Sequence, residues 1–227
     1  MLKFLRYIIT ILAFTSFGKL FGCETTADTV FLLKGATHAI FIDTNKHSMF
    51  YDKIADFTFG QFDSASYSYS LGYLKSKKRV LTKNNIRGIP RKWVILNYYK
   101  NQFYTYHPSD FYSHFKVLIT DTAFIDFTGE GPCANKIVSY KRLDKKTMFF
   151  SLESIEKPSR QLIIHMIDEQ KGIAVFEEPG NKNDRYHLMI DVKKMRQLPI
   201  IVNYCTIQKE MEMDFDTPDF KKLLGNR

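Results

Sequence analysis

The sequence predicts an all-β protein, an antiparallel meander of about a dozen strands closed as a barrel or folded as a barrel-like sandwich, with one short C-terminal helix. Three observations predict it. Short runs rich in Val, Ile, Phe, Tyr and Thr recur from 29 to 207, separated by polar breakers. The connections between them are short and turn-rich rather than helical, which argues against βαβ units and a parallel sheet. Aromatic residues reach 15% of 227, nearly all Tyr and Phe, a β-leaning excess. Closure is favoured over an open sheet because it removes exposed strand edges.

In chain order the expected strands begin with TVFLL (29–33), HAIFID (38–43), HSMFYD (47–52), DFTFGQF (56–62) and SYSYSLGY (66–73). Alternation is sharpest where Ser64, Ser66, Ser68 and Ser70 interleave with Ala65, Tyr67, Tyr69 and Leu71, a pattern that places hydroxyls on one face of a strand. Next come KWVILNYY (92–99) and QFYTY (102–106), joined at Lys100-Asn101, where Asn tolerates a left-handed turn. The series continues through HFKVLIT (114–120), TAFIDF (122–127), KIVSYKR (136–142) and TMFFSLE (147–153). It ends with QLIIHMI (161–167), GIAVFEE (172–178), RYHLMID (185–191) and PIIVNYCTI (199–207). Residues 217–224 read as the helix: Thr217 caps, Pro218 starts it, Phe220, Leu223 and Leu224 form its apolar side, and Gly225 stops it.

Hydrophobic residues at 44% and charged residues at 25% exclude a disordered chain and a multi-span membrane protein. The formal net charge of +9 is unevenly placed: +3 lies in 1–22, +8 in 75–92, and the remainder is −2. The eight cations Lys75, Lys77, Lys78, Arg79, Lys83, Arg87, Arg91 and Lys92 have no acid among them and are candidates to contact an anionic lipid or glycan surface. A solvated inter-strand connection is the competing reading. Near the other end, Glu210, Glu212, Asp214 and Asp216 alternate with Met211, Met213 and Phe215, which reads as a charged edge strand.

Residues 1–22 read as a secretory signal: Lys3 and Arg6 precede the apolar run 7–17, which is too short to span a bilayer comfortably. Residues 23–227 then form a single β domain. Leu20-Phe21-Gly22-Cys23 resembles the bacterial lipoprotein signal, which makes Cys23 a lipidation candidate; cleavage after Gly18 and a retained anchor are the alternatives. All three place the protein outside the cytoplasm, in a cell envelope or secreted, where nucleic acid is not an expected partner. Cys133 and Cys205 are the remaining cysteines and a candidate disulfide, or else two thiols.

No catalytic signature emerges. GxSxG, phosphate-loop, HExxH and dinucleotide patterns are missing, so no cofactor and no metal are expected. Tyr98, Tyr99, Phe103, Tyr104 and Tyr106 are candidates to line a barrel interior around a small apolar or glycan-like ligand, against the favoured reading that they are β-core and cross-strand pairs. The leading expectation is a non-catalytic envelope protein that binds such a ligand or an anionic envelope component. A hydrolase whose site assembles only in the fold and a structural partner in an envelope complex are the alternatives.

Overall fold

The computed structural model describes residues 29–110, 112, 114–155 and 157–225; the expected signal and Cys23 lie outside them. The chain runs β1 (Thr29–Lys34), β2 (His38–Asp43), α1 (Met49–Ile54) and α2 (Gln61–Ser76), then β3 (Lys92–Ile95), β4 (Asn97–Tyr99) and β5 (Gln102–His107). It continues with β6 (Lys116–Ile119), β7 (Ala123–Thr128), β8 (Gly131–Arg142), β9 (Thr147–Glu153), β10 (Arg160–Asp168), β11 (Ile173–Glu177) and β12 (Tyr186–Asp191). A 3-10 turn at Met195–Gln197 leads into β13 (Ile200–Cys205) and α3 (Phe220–Leu224).

The predicted β architecture is present. β3 and β6 to β12 form a closed eight-stranded barrel in which every pairing is antiparallel, β12 closing on β3 through Ile190 opposite Val94. The other strands form a second sheet in the order β1-β2-β13-β5-β4. One pair there is parallel, Ile201 of β13 beside Tyr106 of β5, so the molecule is not antiparallel throughout.

Alternation sorts the barrel side chains into two layers. Trp93, Phe124, Phe150, Leu162, Ile164, Phe176 and Met189 form one buried cluster, with Trp93 against Phe176 at 5.2 Å and its indole N–H donating to Pro90 O at 2.8 Å. The neighbouring positions Val94, Ile125, Phe127, Val175 and Ile190 belong to a second cluster, with Ile200 and Val202 of β13 and with Tyr51 and Ile54 of α1. The opposite side of β13 packs Ile201 with Tyr104 and Tyr106, and Met213 and Phe215 of the C-terminal segment cover them.

Three expected strands are not strands. Residues 47–52 lie largely in α1, whose cap Ser48 accepts from the N–H of Phe50 and whose Tyr51 hydroxyl donates to Leu198 O at 2.6 Å. Residues 56–62 and 66–73 fall in a loop and in α2, where the Asp63 carboxylate accepts from the N–H of Gly60 just before the first turn. The serines defeat the period-2 reading because they also fit a helix: Ser66 and Ser70, four apart, share one face. Ser66 donates to Glu130 O at 2.9 Å, and Ser70 accepts from the N–H of Ala134 at 3.0 Å, fastening α2 to β8. Gly131 permits that approach: its φ is +90°, and a Cβ there would lie 2.8 Å from Ser66 Oγ.

The acidic terminal segment is extended but makes one isolated bridge, Asp216 to Tyr98, rather than an edge strand. Glu212 explains why. It turns inward to accept from the Tyr106 hydroxyl at 2.5 Å and from the N–H of Asp110 at 2.6 Å. The terminal helix is shorter than expected, capped by Asp219, which accepts from the N–H of Lys222 at 3.0 Å.

Candidate functional site

At one mouth of the barrel the side chains turn from apolar to polar. Asp126 lies opposite Cys133, and Phe124 opposite Asn135, so all four share one barrel face. Asp126 stands two residues beyond Phe124, Arg160 two before Leu162, and Glu178 two beyond Phe176, the spacing that keeps each on the face of the buried cluster. Together they border a recess of about 780 Å³, with Ser66, Ser70 and Tyr69 of α2 at one side and His187 at the other. That size suits a small-molecule site.

Arg160 organises the recess. Its Nη2 donates to Glu178 Oε1 at 2.5 Å, and its Nη1 donates to Asp126. Asn135 Nδ2 donates to the same Asp126 carboxylate at 2.9 Å. The Arg160 side chain is only 10% exposed, and its Nε has no hydrogen-bond partner among the described residues. Burial opposes the guanidinium charge, but the two carboxylates outweigh it and raise the group above its ordinary value. Burial likewise acts to raise the Glu178 carboxyl, yet Arg160 and then Lys157 more than offset this and hold it below the usual carboxylate range. A glycosidase-type general acid needs the opposite shift. This arrangement is suited to holding a ligand through fixed donors and acceptors.

Electrostatically the recess is acidic. Asp126, Glu130, Glu178 and Asp184 border it, against Lys157 and Arg160. His187 sits at the edge, with Nε2 3.4 Å from Asp184 and its ring 5.3 Å from Phe115.

No protein-family model, curated protein or solved structure matches this chain.

Other residues singled out in the sequence lie away from the mouth. Tyr98 and Tyr99 are on β4, and Phe103, Tyr104 and Tyr106 on β5, so they do not line the barrel interior. The barrel strand β3 ends at Ile95, and the chain leaves it for the second sheet before the aromatic run begins. There Tyr99 and Tyr104 pack in the cluster around Ile201, and Tyr106 meets Phe215 at 4.9 Å. The candidate disulfide is not present: Cys133 is on β8 of the barrel and Cys205 ends β13 of the other sheet, and no bond joins the two.

The basic segment divides. Lys75 lies in the last turn of α2, Lys77 and Lys78 follow it, and Lys92 begins β3. Arg79 sits 3.6 Å from Glu153 and donates to Ser154 O, while Arg91 donates to Asp121 at 2.7 Å and to Ile86 O. These two arginines therefore serve the fold. Lys83, Arg87 and Arg91 border a shallow recess of about 510 Å³ together with Asp121.

The mouth residues themselves gave little sequence signal. Asp126, Arg160 and Glu178 are scattered over 53 residues and meet only because the barrel closes. The one local sign is a charged residue at an inward position of an apolar strand, as in AFIDF.

Proposed function

We propose that the protein is an exported, non-catalytic binding protein whose barrel mouth takes a small, uncharged, glycan-like ligand. The observation that carries this reading is Arg160, a buried guanidinium held between two carboxylates in a recess large enough for a small ligand. Fixed carboxylates and amides beside aromatic faces suit the hydroxyl groups and ring faces of a sugar. An anionic ligand would meet four carboxylates against two cations. A purely apolar ligand is disfavoured by the apolar cluster that fills the rest of the interior. The extracytoplasmic location and an anchor at Cys23 belong to the same proposal and rest on residues 1–23.

The test is amide and side-chain chemical-shift mapping on the folded domain with glucose, galactose and N-acetylglucosamine and their β-linked dimers. At about 10 mM saccharide, millimolar dissociation constants are within reach. Shifts centred on Asn135, Arg160, Glu178 and His187 are expected. Shifts confined to other surfaces, or no shifts with any saccharide, would overturn the reading.

A further inference from the structure

Strand β8 runs from the mouth to the opposite end of the barrel. Gly131 and Cys133 stand at the mouth, and the 12 residues of the strand carry Arg142 roughly 35 Å along it. β7 pairs only with the first half of β8, Gly131 to Lys136. Beside the second half lies the basic loop that precedes β3. Arg142 Nη2 donates to Gly88 O at 2.7 Å, and the Tyr140 hydroxyl donates to Arg87 O at 3.0 Å. Ile86 and Ile89 of the same loop are buried in the cluster around Trp93, so the loop stops this end of the barrel and is a fixed part of its surface. β8 then turns into β9 through six consecutive exposed residues, Lys141-Arg142-Leu143-Asp144-Lys145-Lys146. The Asp144 carboxylate closes the turn, accepting from the N–H of Lys146 at 2.7 Å and of Thr147 at 2.9 Å. Leu143 is 57% exposed at its tip. Lys83 and Arg87 of the loop, and Lys141, Lys145 and Lys146 of the turn, make no ion pair among the described residues. The acids of the adjoining turns are Asp121, held by Arg91 at 2.7 Å, and Asp168 and Glu169, beside Lys171. This end is therefore basic, whereas carboxylates outnumber cations at the mouth.

We propose that the stopped end of the barrel docks on an anionic lipid bilayer. Leu143 enters the interface, Lys145 and Lys146 meet the headgroups beside it, Lys83 and Arg87 flank them, and the mouth faces away from the bilayer. Each cation brought near an anionic leaflet adds to the attraction. An apolar side chain at the tip of a basic turn adds burial that a bilayer interface offers and a hydrated soluble polyanion does not. The charge asymmetry sets the orientation, since the surface that attracts the basic end repels the acidic mouth. The hydrogen bonds from Tyr140 and Arg142 hold loop and turn together before contact, so little ordering opposes it. None of this depends on which ligand the mouth takes.

Tryptophan fluorescence tests this. Trp93 is the only tryptophan of the chain and is fully buried, so a new one reports its own surroundings. Leu143→Trp and Thr128→Trp, both at exposed positions, place a reporter at each end of the barrel. The probe is vesicles of phosphatidylglycerol brominated on the acyl chains, in about 0.05 M salt. Emission from Leu143→Trp is expected to move to shorter wavelength and to be quenched, while Thr128→Trp stays unquenched. Brominated phosphatidylcholine should change neither. Adding Lys145→Gln and Lys146→Gln to Leu143→Trp should raise the lipid needed for half-quenching by about fivefold for each charge removed. Both lysine side chains are exposed, so the fold is expected to be unaffected. Vesicle binding that leaves Leu143→Trp unquenched would overturn the proposal, as would quenching of Thr128→Trp in its place or indifference to the two lysine changes. No response to either vesicle would do the same. Tighter binding to soluble polyphosphate than to the vesicles would assign the basic end to a soluble polyanion instead.

Discussion

Arg160 donates from Nη2 to Glu178 Oε1 across 2.5 Å, tying the first residue of β10 to the residue just after β11. The same guanidinium reaches Asp126 on β7, so one side chain joins three strands of the barrel at its polar mouth. Removing it leaves two carboxylates with little solvent and no cation between them. Arg160→Met is therefore expected to destabilise the fold by about 3–5 kcal/mol, read as a lower urea midpoint. The triple change Arg160→Met, Asp126→Asn, Glu178→Gln removes the stranded charges and should recover most of the loss. A triple variant no more stable than the single one would show that the ion triad is not the cause.

The junction of α2 with β8 makes a second prediction. Gly131→Ala places a Cβ 2.8 Å from Ser66 Oγ at a φ of +90°, which an L side chain rarely adopts. A cost of about 1–3 kcal/mol is expected. Ser66→Gly relieves the contact but not the backbone strain, so Gly131→Ala should cost less in the Ser66→Gly background than in the wild type. No remaining cost in that background would mean that the contact alone matters, and an undiminished cost that the strain alone does.

Two buried histidines weaken the fold in mild acid. Burial and then Lys53 push His107 down to about 4, and burial, then Lys116 and His107, push His114 down to about 3. The unfolded chain takes up these protons near pH 6.5, before the folded one does. Stability is thus complete above that pH and is lost as pH falls from 6.5 toward 4 and then 3. At pH 5 each histidine costs about 2 kcal/mol. Urea midpoints at pH 7.5 and pH 5 check this. His114→Leu should flatten the dependence; an unchanged slope would contradict the assignment.

The remaining cations of 75–92 make an electrostatic prediction. We propose that Lys83 and Arg87 contact anionic lipid, since both are exposed and make no ion pair among the described residues, Arg87 donating to Asn85 alone, whereas Arg79 and Arg91 are paired with carboxylates. Sedimentation with phosphatidylglycerol vesicles should be strong at about 0.05 M salt and largely lost at about 0.5 M. Lys83→Glu with Arg87→Glu should abolish it, while vesicles of phosphatidylcholine alone should not bind. Retention at high salt would exclude a charge-driven contact.

Most of the barrel was legible because strands such as TMFFSLE and GIAVFEE carry their burial pattern locally. Helix α2 was not, because Ser66 and Ser70 satisfy both a two-residue and a four-residue repeat, and only the partner strand β8 decides between them. The aromatic run from Tyr98 to Tyr106 is legible as β, but nothing local marks where the chain leaves the barrel at Ile95 for the second sheet. The site was least legible. Asp126, Arg160 and Glu178 are ordinary charged residues until closure puts them within one guanidinium's reach.

The central claim, that ligand binds in the barrel mouth, is tested most directly by filling it. Thr128→Trp sets a large ring at an exposed rim position that borders the recess. N-acetylglucosamine or the β-linked dimer that shifts Asn135 and Arg160 in the wild-type protein should give no shifts there in this variant, while the spectrum of the rest of the barrel stays that of the folded wild type. Wild-type affinity in a domain whose mouth is blocked would contradict the account.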